Sequence, residues 1–169
     1  RAITNLSSGK MGYAIAQVAA NMGADVTLIY GHSTLALPAH VTSIQATSAE
    51  RMYQAVMQHV SNQDVFIGVA AVADYSPAQS APQKIKKSED TLTIELKKNK
   101  DILADVASLP NPPFCVGFAA ESEQVIAQAT QKRFTKKLPL IVANDISVAM
   151  GNDLNQVTLI DDVGTHPLP

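Results

Sequence analysis

ITNLSSGKMGYAIAQVAANMGADVTLIY, residues 3–30, is the stretch on which the fold reading turns. Ile3-Thr4 reads as the end of a strand, and Asn5 to Lys10 as a polar turn. From Met11 the apolar positions 11, 15, 18, 19 and 22 share one helical face. Gly23 stands where a helix ends on a left-handed residue. Asp25 to Tyr30 then returns to the β-rich composition of a strand buried on both faces. Strand, turn, helix and strand in this order form the repeating unit of a parallel sheet covered by helices.

The alternation continues along the chain. Val41 to Gln45 reads as a short strand. Thr47 with Glu50 reads as a capping box opening a helix with apolar positions 49, 52, 53, 56 and 60. Asp64 to Val69 is the next strand, and Ala70 to Pro82 has no regular period. Residues 84–87 and 91–96 read as a hairpin, too rich in lysine for a core strand and therefore a flap. A short helix from Asp101 to Ser108 is stopped by the prolines at 110–113. Strands are expected at Phe114 to Ala119, Leu140 to Ala143 and Val157 to Ile160, with a helix capped by Ser122 running to Lys137. The fold class is thus α/β: a Rossmann-like, doubly wound, mostly parallel sheet with a β-hairpin flap, in one domain over residues 1–169.

Composition bounds the function. Of 169 residues, 46% are hydrophobic and 17% charged, as in a soluble globular domain, and no apolar run is long enough to span a bilayer. The net charge of −2 argues against general nucleic-acid binding. Ten of the thirteen Lys and Arg residues nevertheless lie between Lys84 and Lys137, which suits either a solvated surface or a compact anionic ligand. One cysteine, Cys115, excludes an internal disulfide and fits a reducing cytoplasm. Without an initiator Met or a signal peptide, the chain reads as a fragment or an excised domain.

Ligands of such sheets bind beyond the carboxyl ends of the strands. Four segments fall there: Asn5–Gly12, Gly68–Asp74, Gly117–Glu121 and Asn144-Asp145. In the first, Gly9 and Gly12 permit a close backbone approach to an anion at a helix N-terminus, or simply a tight turn. It is not a dinucleotide fingerprint, because Ser7 replaces the first glycine and no acid follows Tyr30. It is not a P-loop, because Thr4 and Met11 occupy required Gly and Ser/Thr positions. In the second segment, small residues admit a flat ligand, and Asp74 suits an amino group, a ribose or a local turn. Lys132 and Lys136 share a helix face, where they either bind an anion or complement the helix dipole. The four histidines have no metal-ligand spacing, and Cys115 reads as an inert core thiol. Anion binders and polar anchors without a nucleophile suit chemistry that resides in an activated phosphate anhydride.

Five motifs in order carry a resemblance: Asn5-Leu-Ser-Ser-Gly-Lys-Met-Gly12, Ala70-Ala-Val-Ala-Asp-Tyr75, Lys84-Ile-Lys-Lys87, Gly117-Phe-Ala-Ala-Glu121 and Ala143-Asn-Asp145. Together they resemble phosphopantothenoylcysteine synthetase in its bacterial, CTP-using form. The resemblance implies that the carboxylate of 4′-phosphopantothenate attacks the α-phosphate of CTP, with Mg2+ on the phosphates, and that L-cysteine then displaces CMP. It implies a homodimer in the cytoplasm, fused to a flavin-dependent decarboxylase domain, with no flavin in the present chain and neither nucleic acid nor membrane as partner. By motif, Asn5 would hold the carboxylate and acyl intermediate, Lys84 would serve activation from the flap, and Arg1 and Ala71 would contact substrate. Gly9, Gly68, Val69, Ala70, Asp74, Lys84, Asn99, Lys100, Asp101, Ile102, Phe118, Lys132 and Lys136 would contact CTP, and no protein group would ligate the metal. Residues 99–102 read Asn-Lys-Asp-Ile, whereas the family commonly has proline second. The alternative reading is a Rossmann-like nucleotide or dinucleotide-binding module without ligase activity.

Overall fold

The computed structural model describes residues 7–79, 83, 91–145 and 156–168. The chain runs α1 (Lys10–Asn21), β1 (Thr27–Tyr30), β2 (Thr42–Gln45), α2 (Ala49–His59), β3 (Val65–Gly68), β4 (Tyr75–Pro77), β5 (Leu96–Lys98), α3 (Ile102–Ala107), β6 (Phe114–Glu121), α4 (Val125–Thr135), β7 (Leu140–Asp145), β8 (Val157–Ile160) and β9 (Thr165–Pro167). A single 3₁₀ turn, Val60–Asn62, extends α2. No helix among the described residues is long and apolar enough to cross a membrane.

The main sheet has the order β3-β6-β7-β8-β9, with β1-β2 and β4-β5 as separate two-stranded pairs. β1–β2, β3–β6 and β6–β7 are parallel, whereas β8 and β9 run antiparallel to their neighbours. Along β6, Cys115 and Ala119 face a core cluster that includes Met52, Val56 and Val60 from α2 and its extension, Val106 from α3, Ala129 from α4, and Ile141 and Ala143 from β7. Side chains alternate along a strand, so α2, α3 and α4 all lie on that one face. On the other face Val65 and Phe114, paired in register, stay about half exposed.

One pair of glycines brings α3 to the strand ends. Gly68 and Gly117 sit side by side in the β3–β6 register. A Cβ on Gly117 would lie 2.7 Å from Leu138 Cδ1 and 2.9 Å from Leu103 Cδ2, and one on Gly68 would lie 3.4 Å from Leu103 Cδ1. Leu103 of α3 therefore rests on a floor without side chains, which sets the first turn of α3 against the carboxyl ends of β3 and β6.

Several expectations need correction. The helix at 49 is capped by Ser48, whose Oγ accepts from the Arg51 N–H at 3.3 Å, and not by Thr47. Glu50 turns instead to Gln54 and Lys100. Ser122 does not cap α4: Gln124 precedes that helix in the left-handed region (φ 48°), with no side-chain cap. The buried residues of α1 are Tyr13 and Ala16, while Val18 and Met22 on the expected face are exposed. Tyr13 wins because its ring packs beside Gly9 and meets Tyr30 edge-on at 6.0 Å. The strand expected from residue 91 begins at Leu96 and pairs with Tyr75–Pro77, in a stretch read as having no period. Residues 84–90, the rest of the expected hairpin, lie outside the described residues.

Candidate functional site

The turn between β5 and α3 ties three parts of the molecule together. Asn99 continues the ladder, its N–H donating to the Asp74 carbonyl at 2.7 Å. Its side-chain amide donates to the Ala73 carbonyl at 2.8 Å and accepts from the Ser76 hydroxyl at 2.8 Å. Both faces of Asn99 are thereby committed to the loop that follows β3. Asp101 caps α3, its Oδ1 accepting from the Ala104 N–H at 3.1 Å. Its other oxygen meets Lys136 Nζ at 2.6 Å.

Asp101 is held ionised. Partial burial opposes its charge, but the hydrogen bond from Lys136, the Ala104 N–H and the nearby Lys132 together keep its carboxyl below the ordinary 3.8. Lys132, one turn before Lys136, donates to the Phe118 carbonyl at 3.0 Å, near the end of β6. Each ammonium reaches across to another element rather than merely closing α4, although both also lie near its C-terminus. A groove of about 470 Å³ opens beside them, lined by Glu121, Gln124, Gln128, Lys132 and Lys136 among others. By strand alternation the Phe118 ring lies on the sheet face opposite α4, so the ring and Lys132 flank the strand end from two sides.

The segment after β3 is the second wall. Gly68 and Val69 are half-buried, and Ala70, Ala71 and Asp74 are exposed. The Ala70 carbonyl accepts from Val72 N–H at 2.9 Å, a tight turn that displays these backbone groups. Gly68 also serves packing, since Leu103 covers its Cα. α1 approaches the same segment through Gly12, where an added Cβ would stand 3.9 Å from Val69 Cβ. Gly9 precedes α1 with φ 78° and no side-chain cap, a conformation that favours glycine. The N-terminus of α1 thus joins the wall formed by Gly68 to Ala70.

Of the expected site residues, contacts link Asp74 to Asn99, Asp101 to Lys136 and Lys132 to the Phe118 carbonyl, with Gly68 beside Leu103 of α3 and Val69 beside α1. Lys100 is the departure: its side chain turns away to α2, so any ligand contact there is through its backbone. Arg1, Asn5 and Lys84 lie outside the described residues. Ser76, Leu103 and Tyr53, which hold this turn and its helix, were not among the expected site residues. Ser76 lies only two residues beyond Asp74, which was its only available signal. Among the described residues no group of three His, Cys, Asp or Glu is placed to hold a metal ion.

Comparison with known proteins gives a consistent picture. The family model of the DNA/pantothenate metabolism flavoprotein C-terminal domain matches residues 1–169. The coenzyme A biosynthesis bifunctional protein CoaBC of Vibrio vulnificus (strain CMCP6) is 49% identical over all of this chain and 44% of its own length. The protein of the same name from Escherichia coli (strain K12) is 47% identical over all of this chain and 43% of its own length. The chain thus spans less than half the length of the curated relatives it matches. A crystal structure of the C-terminal domain of a CoaBC protein superposes with TM-score 0.82 at 42% identity, covering 99% of this chain and 76% of that one. The Streptococcus pneumoniae DNA/pantothenate metabolism flavoprotein shares the fold, with TM-score 0.85 at 21% identity, covering 99% and 84%. On this identity, and on a family match that runs from end to end, the chain belongs to the DNA/pantothenate metabolism flavoprotein C-terminal domain family.

Proposed function

We propose that this domain joins 4′-phosphopantothenate to L-cysteine at the expense of CTP, the ligase step of coenzyme A biosynthesis. The observation that supports this reading is the run of contacts from Asp74 to Asn99, from Asp101 to Lys136 and from Lys132 to the Phe118 carbonyl, next to the end of β3. In the first half-reaction a carboxylate oxygen forms a bond to the α-phosphorus, the α–β anhydride bond breaks, and pyrophosphate leaves. In the second, the cysteine nitrogen bonds to the acyl carbon, the acyl–phosphate bond breaks, CMP leaves, and the amine gives up a proton.

An anion attacking a polyphosphate is repelled by it, and near a protein surface two unit charges 4 Å apart interact by about 4 kcal/mol. In this reading Lys132 and Lys136 offset part of that repulsion, helped by the N-terminus of α1. Asp74 suits the ribose or the cytosine amino group, and the Gly68–Ala70 backbone suits a flat base. Magnesium travels with the triphosphate and keeps most of its waters, so it needs no protein cage. By the same reading Asn5 holds the carboxylate and acyl intermediate, Lys84 aids activation, and Arg1 and Ala71 contact the phosphopantothenate. A homodimer in the cytoplasm, fused to a decarboxylase domain, completes the proposal. The curated relatives support the fusion, since this chain matches less than half of each.

The test is pyrophosphate release with CTP, magnesium and 4′-phosphopantothenate, first without cysteine and then with it. We expect a burst limited to about one equivalent without cysteine, and steady release with formation of the cysteine adduct once it is added. A whole natural chain that binds nucleotide yet releases no pyrophosphate in either case would instead be a binding module.

A further inference from the structure

Lys100 sits between two residues that are both tied inward, Asn99 to the loop after β3 and Asp101 to α3 and α4. Its own side chain points outward onto α2. Nζ stands 4.2 Å from the centroid of the Tyr53 ring and 3.8 Å from Glu50 Oε1. Glu50 is steadied by Gln54, whose Nε2 donates to the same oxygen at 2.9 Å. Tyr53 is engaged at its other end as well. Desolvation, followed by hydrogen bonding to the Asp105 side chain of α3, raises its phenol above the ordinary 10.0. One aromatic ring on α2 therefore meets both the turn and the helix that follows it.

A lysine on an open turn is normally solvated and free to move, because its ammonium is strongly hydrated and its stem is long. Lying over a ring with a carboxylate alongside is a specific placement. The Glu50 contact is exposed and weakened by salt, so the ring contact is the more durable of the two.

We propose that Lys100, stacked on Tyr53, is a positioning residue that anchors the Asn99–Ile102 turn to α2 and so fixes the separation of Asp74 and Lys136 in the nucleotide site. Asp74 and Lys136 hang from this turn on either side, through Asn99 and Asp101 respectively. The role rests on the CTP reading above, but the anchor itself can be measured without any ligand.

The experiment uses the whole natural chain with Lys100→Ala, Lys100→Arg, Tyr53→Leu and the double variant Lys100→Ala/Tyr53→Leu. For Lys100→Ala and for Tyr53→Leu we expect KM for CTP to rise about three- to fivefold, the loss that one exposed cation–ring contact represents. kcat and KM for 4′-phosphopantothenate change less than about twofold, since the contact is remote from the reacting atoms. Without ligand, the Ala104 amide, which Asp101 accepts, exchanges faster with solvent. The loss in the double variant falls short of the sum of the two single losses, because both remove the contact between Lys100 and the Tyr53 ring. Lys100→Arg keeps the charge over the ring and retains the low KM. Unchanged KM and unchanged exchange in Lys100→Ala would overturn the proposal, as would additive losses in the double variant. If the wild type released no pyrophosphate with CTP, the functional reading would fall, and exchange at Ala104 would still decide whether the anchor exists.

Discussion

Two approaches to the same strand ends are built in different ways. Around the turn before α3, side chains bond across element boundaries: Asn99 to Ala73 and Ser76, Asp101 to Lys136, Lys132 to the β6 backbone. α1 reaches the same place chiefly by packing. Its one near-cap is a long bond from the Lys10 N–H to Ser8 Oγ at 3.3 Å, the Tyr13 hydroxyl is buried without a hydrogen-bond partner among the described residues, and its outer residues Val18 and Met22 are 57% and 83% exposed. Polar cross-links define a geometry before any ligand arrives, because each is directional and costly to leave half-made. Packing against a glycine and a ring is less directional. The α3–α4 corner is therefore the preorganised side of the site, and α1 the adaptable one.

The contrast breaks most easily at Gly117. An added methyl would press on Leu103 and Leu138, and Gly117→Ala should cost about 1–3 kcal/mol by overpacking. For a domain of this size that lowers Tm by roughly 2–4 °C per kcal/mol, read by thermal unfolding. No loss of stability would mean that α3 shifts freely, and the corner would no longer count as preorganised.

Asp101 gives a smaller effect with a definite sign. Its folded pKa is lowered, so its stabilisation is present above the unfolded value of 3.8 and is lost as pH falls through the lower folded value. Asp101→Asn keeps a capping oxygen but loses the charge facing Lys136. It should cost about 0.5–1 kcal/mol at neutral pH, since the pair is partly solvated. It should also flatten the stability profile in that acid window, while an unchanged acid profile would show that the Lys136 pair contributes nothing.

The smallest effect belongs to α1. Met22→Ser should change stability by less than about 0.5 kcal/mol, as exposed substitutions do. A larger loss that grows on dilution would sharpen the comparison, by showing that a second chain covers this face.

The long periodic elements were legible in the sequence. α1 with Gly23 behind it, α2, β3, β6 and β8 stand within a few residues of their expected places because hydrophobic spacing dominates there. β4 and β9 were not legible, since each is three residues long and ends in proline, Pro77 or Pro167. Both caps were misplaced by the same weakness: Ser48 competes with Thr47 one residue away, and the start of α4 is set by the backbone of Gln124 rather than by a side chain. For the candidate site, position and spacing single out Asp74, Lys132 and Lys136 as expectations. That Lys136 spans to Asp101, and that Lys100 leaves the site for Tyr53, depends on contacts between elements far apart in the chain. Spacing along one element carries no information about such contacts.

The central claim is that the carboxyl ends of β3 and β6 hold a cytidine triphosphate. Backbone-amide NMR during titration with CTP and magnesium tests it most directly, with NAD as the comparison. CTP is expected to shift amides at 68–74, 99–104 and 118–121, and NAD is expected to shift none of them. Shifts centred on Gly31 to Ser33 with NAD, and none with CTP, would contradict it.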